Sequence, residues 1–179
     1  SSTNFPISDS VATKFTFTST ERDGFSENVV TGQDLDDASN ISLRSDWIFE
    51  LSDTSSLRIF GQYFDSDRNG AAMRGIDDTN DSMQKLSQDS LSKQELTSKV
   101  IALIYESDLG YATLKILGSI QEDDILVVRD NDRHNYGDLV KAIPGLGIGS
   151  TYQMAEFNPE TSLVDTTTFE INLVSNEPA

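Results

Sequence analysis

The sequence predicts an all-β chain: an antiparallel up-and-down meander of about six strands, a partial β-barrel segment with long loops on one side. Three observations predict it. Apolar residues recur at every second position in segment after segment, and successive side chains of a strand face opposite ways. The connections between segments run long, short, long, short, long, which a meander with its long loops gathered on one rim produces by construction. No run of ~18 apolar residues exists, so no membrane-crossing helix competes with the strands.

The elements follow in order along a single segment, 1–179. Ser1 to Ser10 is polar, with Pro6 and a Ser8-Asp9-Ser10 turn signal, and reads as a lead-in. The first strand is 11–19, with Val11, Thr13, Phe15 and Phe17 on one face and Ala12, Lys14, Thr16 and Thr18 on the other. A polar loop with Gly24, Gly32 and the acidic run Asp34 to Asp37 leads to the clearest unit, a hairpin over 41–51 and 57–64. There Ile41, Leu43, Trp47, Phe49 and Leu51 share a parity with Leu57, Ile59 and Tyr63. Arg44, Asp46, Glu50, Arg58 and Gln62 take the opposite parity, so one face is apolar and the other polar.

A second polar loop, Asp65 to Gln94, precedes a strand over 95–107 and, after Asp108-Leu109-Gly110, another over 111–128. The short apolar run Ile125 to Val128 extends that strand past Glu122-Asp123-Asp124. A third long connection holds Gly145, Gly147 and Gly149, and the last strand is 166–175.

Composition narrows the function classes. Apolar residues make up 36%, below the ~45–50% of ordinary globular chains, and the net charge is −17. Such a polyanion repels nucleic acid phosphates and anionic lipid headgroups, which removes nucleic acid as a partner. The absence of cysteine removes disulfides, thiolate metal sites and cysteine nucleophiles. The N-terminal residues lack a basic-then-apolar pattern, so an exported protein would be represented here by a mature or internal piece.

Candidate chemistry is sparse. Asp65-Ser66-Asp67-Arg68-Asn69-Gly70 matches the first half of a calcium loop, with Asp65, Asp67 and Asn69 as oxygen ligands. Ile76 stands where the bidentate acid belongs, and Asp77 and Asp78 are the nearest substitutes. The plainer reading is a solvated acidic turn at a strand exit. Asp130-Asn131-Asp132 with Asn135 and Asp138 forms a second oxygen-rich cluster with the same plain alternative. Apart from calcium, no cofactor is expected. The single histidine, His134, makes neither a zinc site nor, without a G-x-S-x-G elbow, a serine hydrolase. No phosphate-binding glycine loop occurs, and the carboxylates are too numerous for sequence to choose a glycosidase pair. The expectation is therefore a protein without catalytic residues.

Three stretches carry a family resemblance. Glu21-Arg22-Asp23-Gly24-Phe25 with Asn28-Val29-Val30-Thr31-Gly32 resembles a strand exit and loop of TonB-dependent outer-membrane receptors. Trp47-Ile48-Phe49-Glu50-Leu51-Ser52-Asp53, leading into Leu57-Arg58-Ile59, resembles their strand, periplasmic turn, strand unit. Phe169-Glu170-Ile171-Asn172-Leu173-Val174-Ser175 is similar to a mid-barrel strand of theirs. The resemblance implies a ~22-strand plugged barrel in a Gram-negative outer membrane. It also implies import of a scarce small-molecule ligand (siderophore, cobalamin or glycan class), driven by TonB. The plug and the TonB-contacting segment are not in this sequence, so the chain would be an internal slice of the wall, with edges that pair with other strands or with a second copy. The competing expectation is a soluble acidic all-β binding module, calcium-dependent through Asp65, Asp67 and Asn69.

Overall fold

The structure, a computed structural model, describes residues 1–76, 78–130, 133, 135 and 157–176, without the side chains of 157 and 158. Among the described residues ten strands run in the order β1 (Ser2–Ser8), β2 (Val11–Arg22), β3 (Ser26–Asn28), β4 (Gln33–Leu35) and β5 (Ala38–Ser52), then β6 (Ser55–Arg68), β7 (Lys85–Leu86), β8 (Lys93–Asp108), β9 (Ala112–Asp130) and β10 (Phe157–Ser175). Seven form one open antiparallel sheet in meander order, β1-β2-β5-β6-β8-β9-β10, and three short ones form a separate sheet, β4-β3-β7. The all-β meander is as the alternation predicts.

Three features go beyond the predicted elements. Ser2–Ser8 is a strand, not a lead-in, and pairs with β2 from Ser2↔Thr16 to Ser8↔Val11. Pro6 is tolerated there because β1 is an edge strand, where a missing N–H costs no ladder bond. Strand β10 begins at Phe157, well before 166, because Phe157 to Thr166 pairs with Asp130 to Gln121 of β9. The first two long connections also contain structure of their own, β3, β4 and β7.

The connections sort onto two rims. The tight turns β1–β2, β5–β6 and β8–β9 share one rim, and each bonds to the next strand end: Glu50 N donates to Ser10 O (2.8 Å), Asp108 N to Thr54 O (2.8 Å) and Asn176 N to Tyr111 O (3.0 Å). The long connections leave the opposite rim.

Register places the predicted parities on two continuous faces. Thr13, Trp47, Ile59, Leu103, Gly118 and Phe169 are consecutive partners across the sheet, and Val11, Phe49, Leu57, Tyr105, Ile116 and Ile171 form the neighbouring row. The other face carries Lys14, Asp46, Phe60, Ala102, Ser119 and Thr168 in one row. Nothing covers the apolar face among the described residues: Phe5, Phe15, Leu43, Ile101, Ile120 and Phe169 are 51%, 45%, 49%, 63%, 60% and 69% exposed. Among the described residues the buried hydrophobic side chains are Leu35, Leu86 and Ala112, none of them in the middle of the large sheet. A single sheet with an apolar face is half of a two-layer solution and must meet a second layer or another apolar medium.

Candidate functional site

Two polar constellations stand out, one on the wall and one above it. On the polar face, Asp46 of β5 accepts two bonds from Arg58 of β6, from Nε at 2.8 Å and Nη2 at 2.5 Å. This is the fork geometry that makes guanidinium–carboxylate pairs strong and directional. Arg44 approaches the same carboxylate at 3.5 Å and lays its guanidinium over Phe60, 4.3 Å from the ring centroid. Lys14 is Asp46's register partner on β2. Two-residue alternation on neighbouring antiparallel strands brings these groups to one face, where two guanidinium groups, Arg58 and Arg44, meet one carboxylate, Asp46.

Above the loop rim, the small sheet forms a cap. Strand β3 pairs antiparallel with β4 and parallel with β7, and Leu35 (0% exposed) and Leu86 (2%) are its apolar centre. Polar side chains do most of the joining. The Asn28 Oδ1 accepts from Val30 N and Gln88 N, each at 3.2 Å. Gln33 clamps Ser92, donating to its carbonyl at 2.7 Å and accepting its N–H at 2.9 Å. Asp36, at φ 63°, accepts from Ser26 Oγ (2.5 Å) and Ala72 N (3.0 Å), and Asp37 accepts from Asn69 N (2.8 Å). Arg74 donates to the carbonyls of Ser82 (2.9 Å), Asp78 (2.8 Å) and Asn80 (2.5 Å). The acidic run that reads as a solvated loop is thus the mortar of this cap. The local signal was present in the Asp, Asn and Gly pairs, which favour side-chain-to-backbone turns.

Asp78 is the titratable hinge of the cap. Burial works against its charge, but the N–H groups of Asn80 and Ser87, the Asn80 side chain and the Arg74 charge together hold the carboxyl below its ordinary value of 3.8. A depressed carboxyl adds stability above its unfolded-state value, and that stability is lost as pH falls through the folded-state value. Protection of the Ser87 and Asn80 amides, measured against their intrinsic exchange rates at each pH, is therefore expected to hold from neutral pH down to about 4 and to fall below it. In Asp78→Asn that acid dependence should disappear.

The calcium candidates fall elsewhere than a calcium loop would put them. Asp65 and Asp67 lie in the continuous strand β6, where residues two apart are ~6.7 Å apart and cannot wrap one ion. Asp65 instead accepts from Thr97 Oγ1 (3.0 Å) and Tyr63 OH (3.3 Å), and Asp67 faces Lys93 at 3.9 Å. Asn69 bonds outward to the Asp34 carbonyl at 2.9 Å. Among the described residues no group of three or more His, Cys, Asp or Glu side chains is placed to hold a metal. Asp77, Asn131, Asp132, His134, Asp138 and the glycine run 145–149 lie outside the described residues.

Comparison of the chain with protein-family models, with curated proteins and with solved structures finds no match to any of them.

Proposed function

We propose that this chain is a wall segment of an outer-membrane receptor of the TonB-dependent kind. Its apolar face meets lipid, its polar face lines the lumen, and its cap stands over the outer rim. Its work is recognition and passage of a scarce small-molecule ligand of the siderophore, cobalamin or glycan class, with energy coupling through TonB and no covalent chemistry. The observation that carries the reading is the uncovered apolar face of a one-layer meander whose tight turns share one rim.

The dimensions agree with a bilayer. From Ile41 to Leu51 the apolar parity of β5 runs ~33 Å at ~3.3 Å per residue. Tilted by ~40°, as in barrels, that is ~25 Å, the height of an outer-membrane apolar band. No helix of the described residues is long and apolar enough to cross a membrane, which leaves the strands as the crossing elements under this reading. Strand number favours a larger wall. With seven strands in meander order, β1 and β10 both run toward the tight-turn rim. Closing the sheet on itself would pair them in parallel, whereas an opposed strand at each edge continues the antiparallel ladder.

Trp47 is the chain's single tryptophan and sits mid-band between Phe15 (5.9 Å, edge-on) and Phe49 (6.2 Å, stacked). The chain is expected to associate in plain buffer and to disperse in alkyl-maltoside micelles, with Trp47 emission strongly quenched by the dibrominated form of the same detergent. A detergent-free monomer whose Trp47 ignores brominated detergent would favour the soluble acidic binding module. Flanking coding sequence with further alternating strands would agree with the wall reading.

A further inference from the structure

We propose that the polar face is a glycan-binding wall: its loop-rim half takes a neutral oligosaccharide laid across the strands. For its place in the lumen this rests on the wall reading, and it selects the glycan class from the three ligand classes that reading leaves open.

Register builds the surface from three adjacent rows that cross the sheet from β2 to β10. They start at Thr16, Thr18 and Thr20 and end at Thr166, Val164 and Ser162. Each row crosses six strands, ~24 Å at ~4.8 Å per strand spacing. Charged residues make up 24% of the chain and its net charge is −17, yet the charged members of these rows are Arg44 and Asp123, one of each sign. Both are already engaged. Arg44 reaches Asp46 and lies over Phe60, and Asp123 accepts two bonds from Gln121 Nε2, at 3.1 and 2.9 Å. On the opposite face of the same stretch stand Asp65, Glu122, Asp124 and Asp165, so the neutrality belongs to the face and not to the height.

Most other side chains of the three rows end in hydroxyls or amides. Asn40, Ser42, Gln62 and Ser98 stand around Phe64 and make no side-chain hydrogen bond among the described residues. Hydroxyls and amides both donate and accept, so the field suits a ligand whose groups do the same at repeated intervals. Phe64 is half-buried between its register partners Ser42 and Ser98, with Leu96 and Val100 on its diagonals. Its ring offers an electron-rich face to the polarised C–H groups of a pyranose. Hydroxyl edges around an apolar C–H face are the chemistry of a sugar ring. An anionic ferric complex needs an excess of cations that these rows do not have. A compact ligand such as a cobalamin would meet part of the field, whereas a chain of repeated neutral units meets all of it.

The test uses the whole chain in deuterated dodecylphosphocholine micelles and saturation-transfer NMR. Maltohexaose, cellohexaose, xylohexaose and laminarihexaose are offered one at a time. Saturation is expected to reach the ring C–H protons of at least one of them, and added salt should not weaken it, because no net charge is engaged. Phe64→Ala should cut the transfer about threefold, and Gln62→Leu, which keeps the ring, should weaken binding about fivefold. Ile101→Ala, on the opposite face and 63% exposed, should change neither. No transfer to any of the four overturns the proposal, as does transfer that both polar-face variants leave unchanged. Tighter binding of cyanocobalamin or of a ferric tris-catecholate also overturns it. Quenching of Trp47 by brominated detergent separates the two ideas. Quenching without saccharide transfer leaves the wall reading standing and sinks the glycan assignment. Transfer that needs Phe64 and Gln62, without quenching, keeps the glycan face and sinks the wall; neither signal sinks both.

Discussion

Leu103→Arg is expected to destabilise the sheet by about 2–4 kcal/mol in a bilayer-like medium and to change almost nothing in water. Leu103 lies on β8, an inner strand, in the same row as Trp47, and is 48% exposed in the isolated sheet. If water covers this face, an arginine there keeps its stem along the sheet and its guanidinium hydrated, which is a routine surface change. If hydrocarbon covers it, the same charge sits near the middle of the apolar band with no carboxylate in its row. Denaturant unfolding in micelles, with Leu103→Ala as the size control, reads the difference. The polar face supplies the complementary control. Ala102→Arg, one residue away and pointing to the side of Asp46 and Lys14, should be tolerated in micelles, because that face is wet under either reading. Equal, small effects at both positions would mean that water, not lipid, covers the apolar rows.

The large sheet was legible in the sequence because period-two alternation reports both the strand and its two faces. Leu57, Ile59 and Tyr63 against Arg58 and Gln62 is enough to place β6 and to put Arg58 on the same polar face as Asp46, but the pairing of the two depends on register, which alternation does not give. Alternation is silent where a strand is held by its partner alone. β1 offers Thr3, Phe5 and Ile7 on one parity, but Pro6 and the surrounding serines mask it, and only pairing with β2 makes it a strand. The first half of β10 carries Pro159 and polar residues, and its conformation is set by the β9 stretch from Gln121 to Asp130. The calcium motif is ambiguous for a related reason. Asp-x-Asp-x-Asn has the spacing of a loop and of a strand face alike, and Thr97 across the register decides for the strand. The cap was least legible. Its strands are two or three residues long, too short for any period, and Asn28, Gln33 and Asp36 hold it through contacts distant in sequence.

That difference in origin predicts a difference in cooperativity, which single substitutions at Gly24 and Leu35 should expose. Leu35 is fully buried, so Leu35→Ala removes its contacts and is expected to cost the cap about 2–5 kcal/mol. Gly24→Ala acts on the same place from the other side. A Cβ at Gly24 would lie 2.6 Å from the Leu35 carbonyl oxygen and 3.0 Å from its amide nitrogen, so backbone, not a flexible side chain, must move. That displacement pulls on the Phe25 N to Leu35 O bond (3.1 Å), the first rung of the β3–β4 pairing. Hydrogen exchange should then accelerate at Phe25, Glu27 and Val29, whose amides bond to Leu35, Gln84 and Leu86, while the amides of β6 and β8 keep their protection. A local opening of this kind requires that cap and wall be separate cooperative units. The contacts argue that they are: the cap has its own apolar centre, and the wall strands are tied to one another by continuous ladders that Leu35 does not enter. If either substitution melts β6 and β8 together with the cap, the cap is a part of the sheet's folding unit and cannot rearrange over the rim without it. If protection falls in the cap alone, the cap can open and close over a wall that stays fixed, which a loop cluster that admits a ligand to a rigid barrel needs.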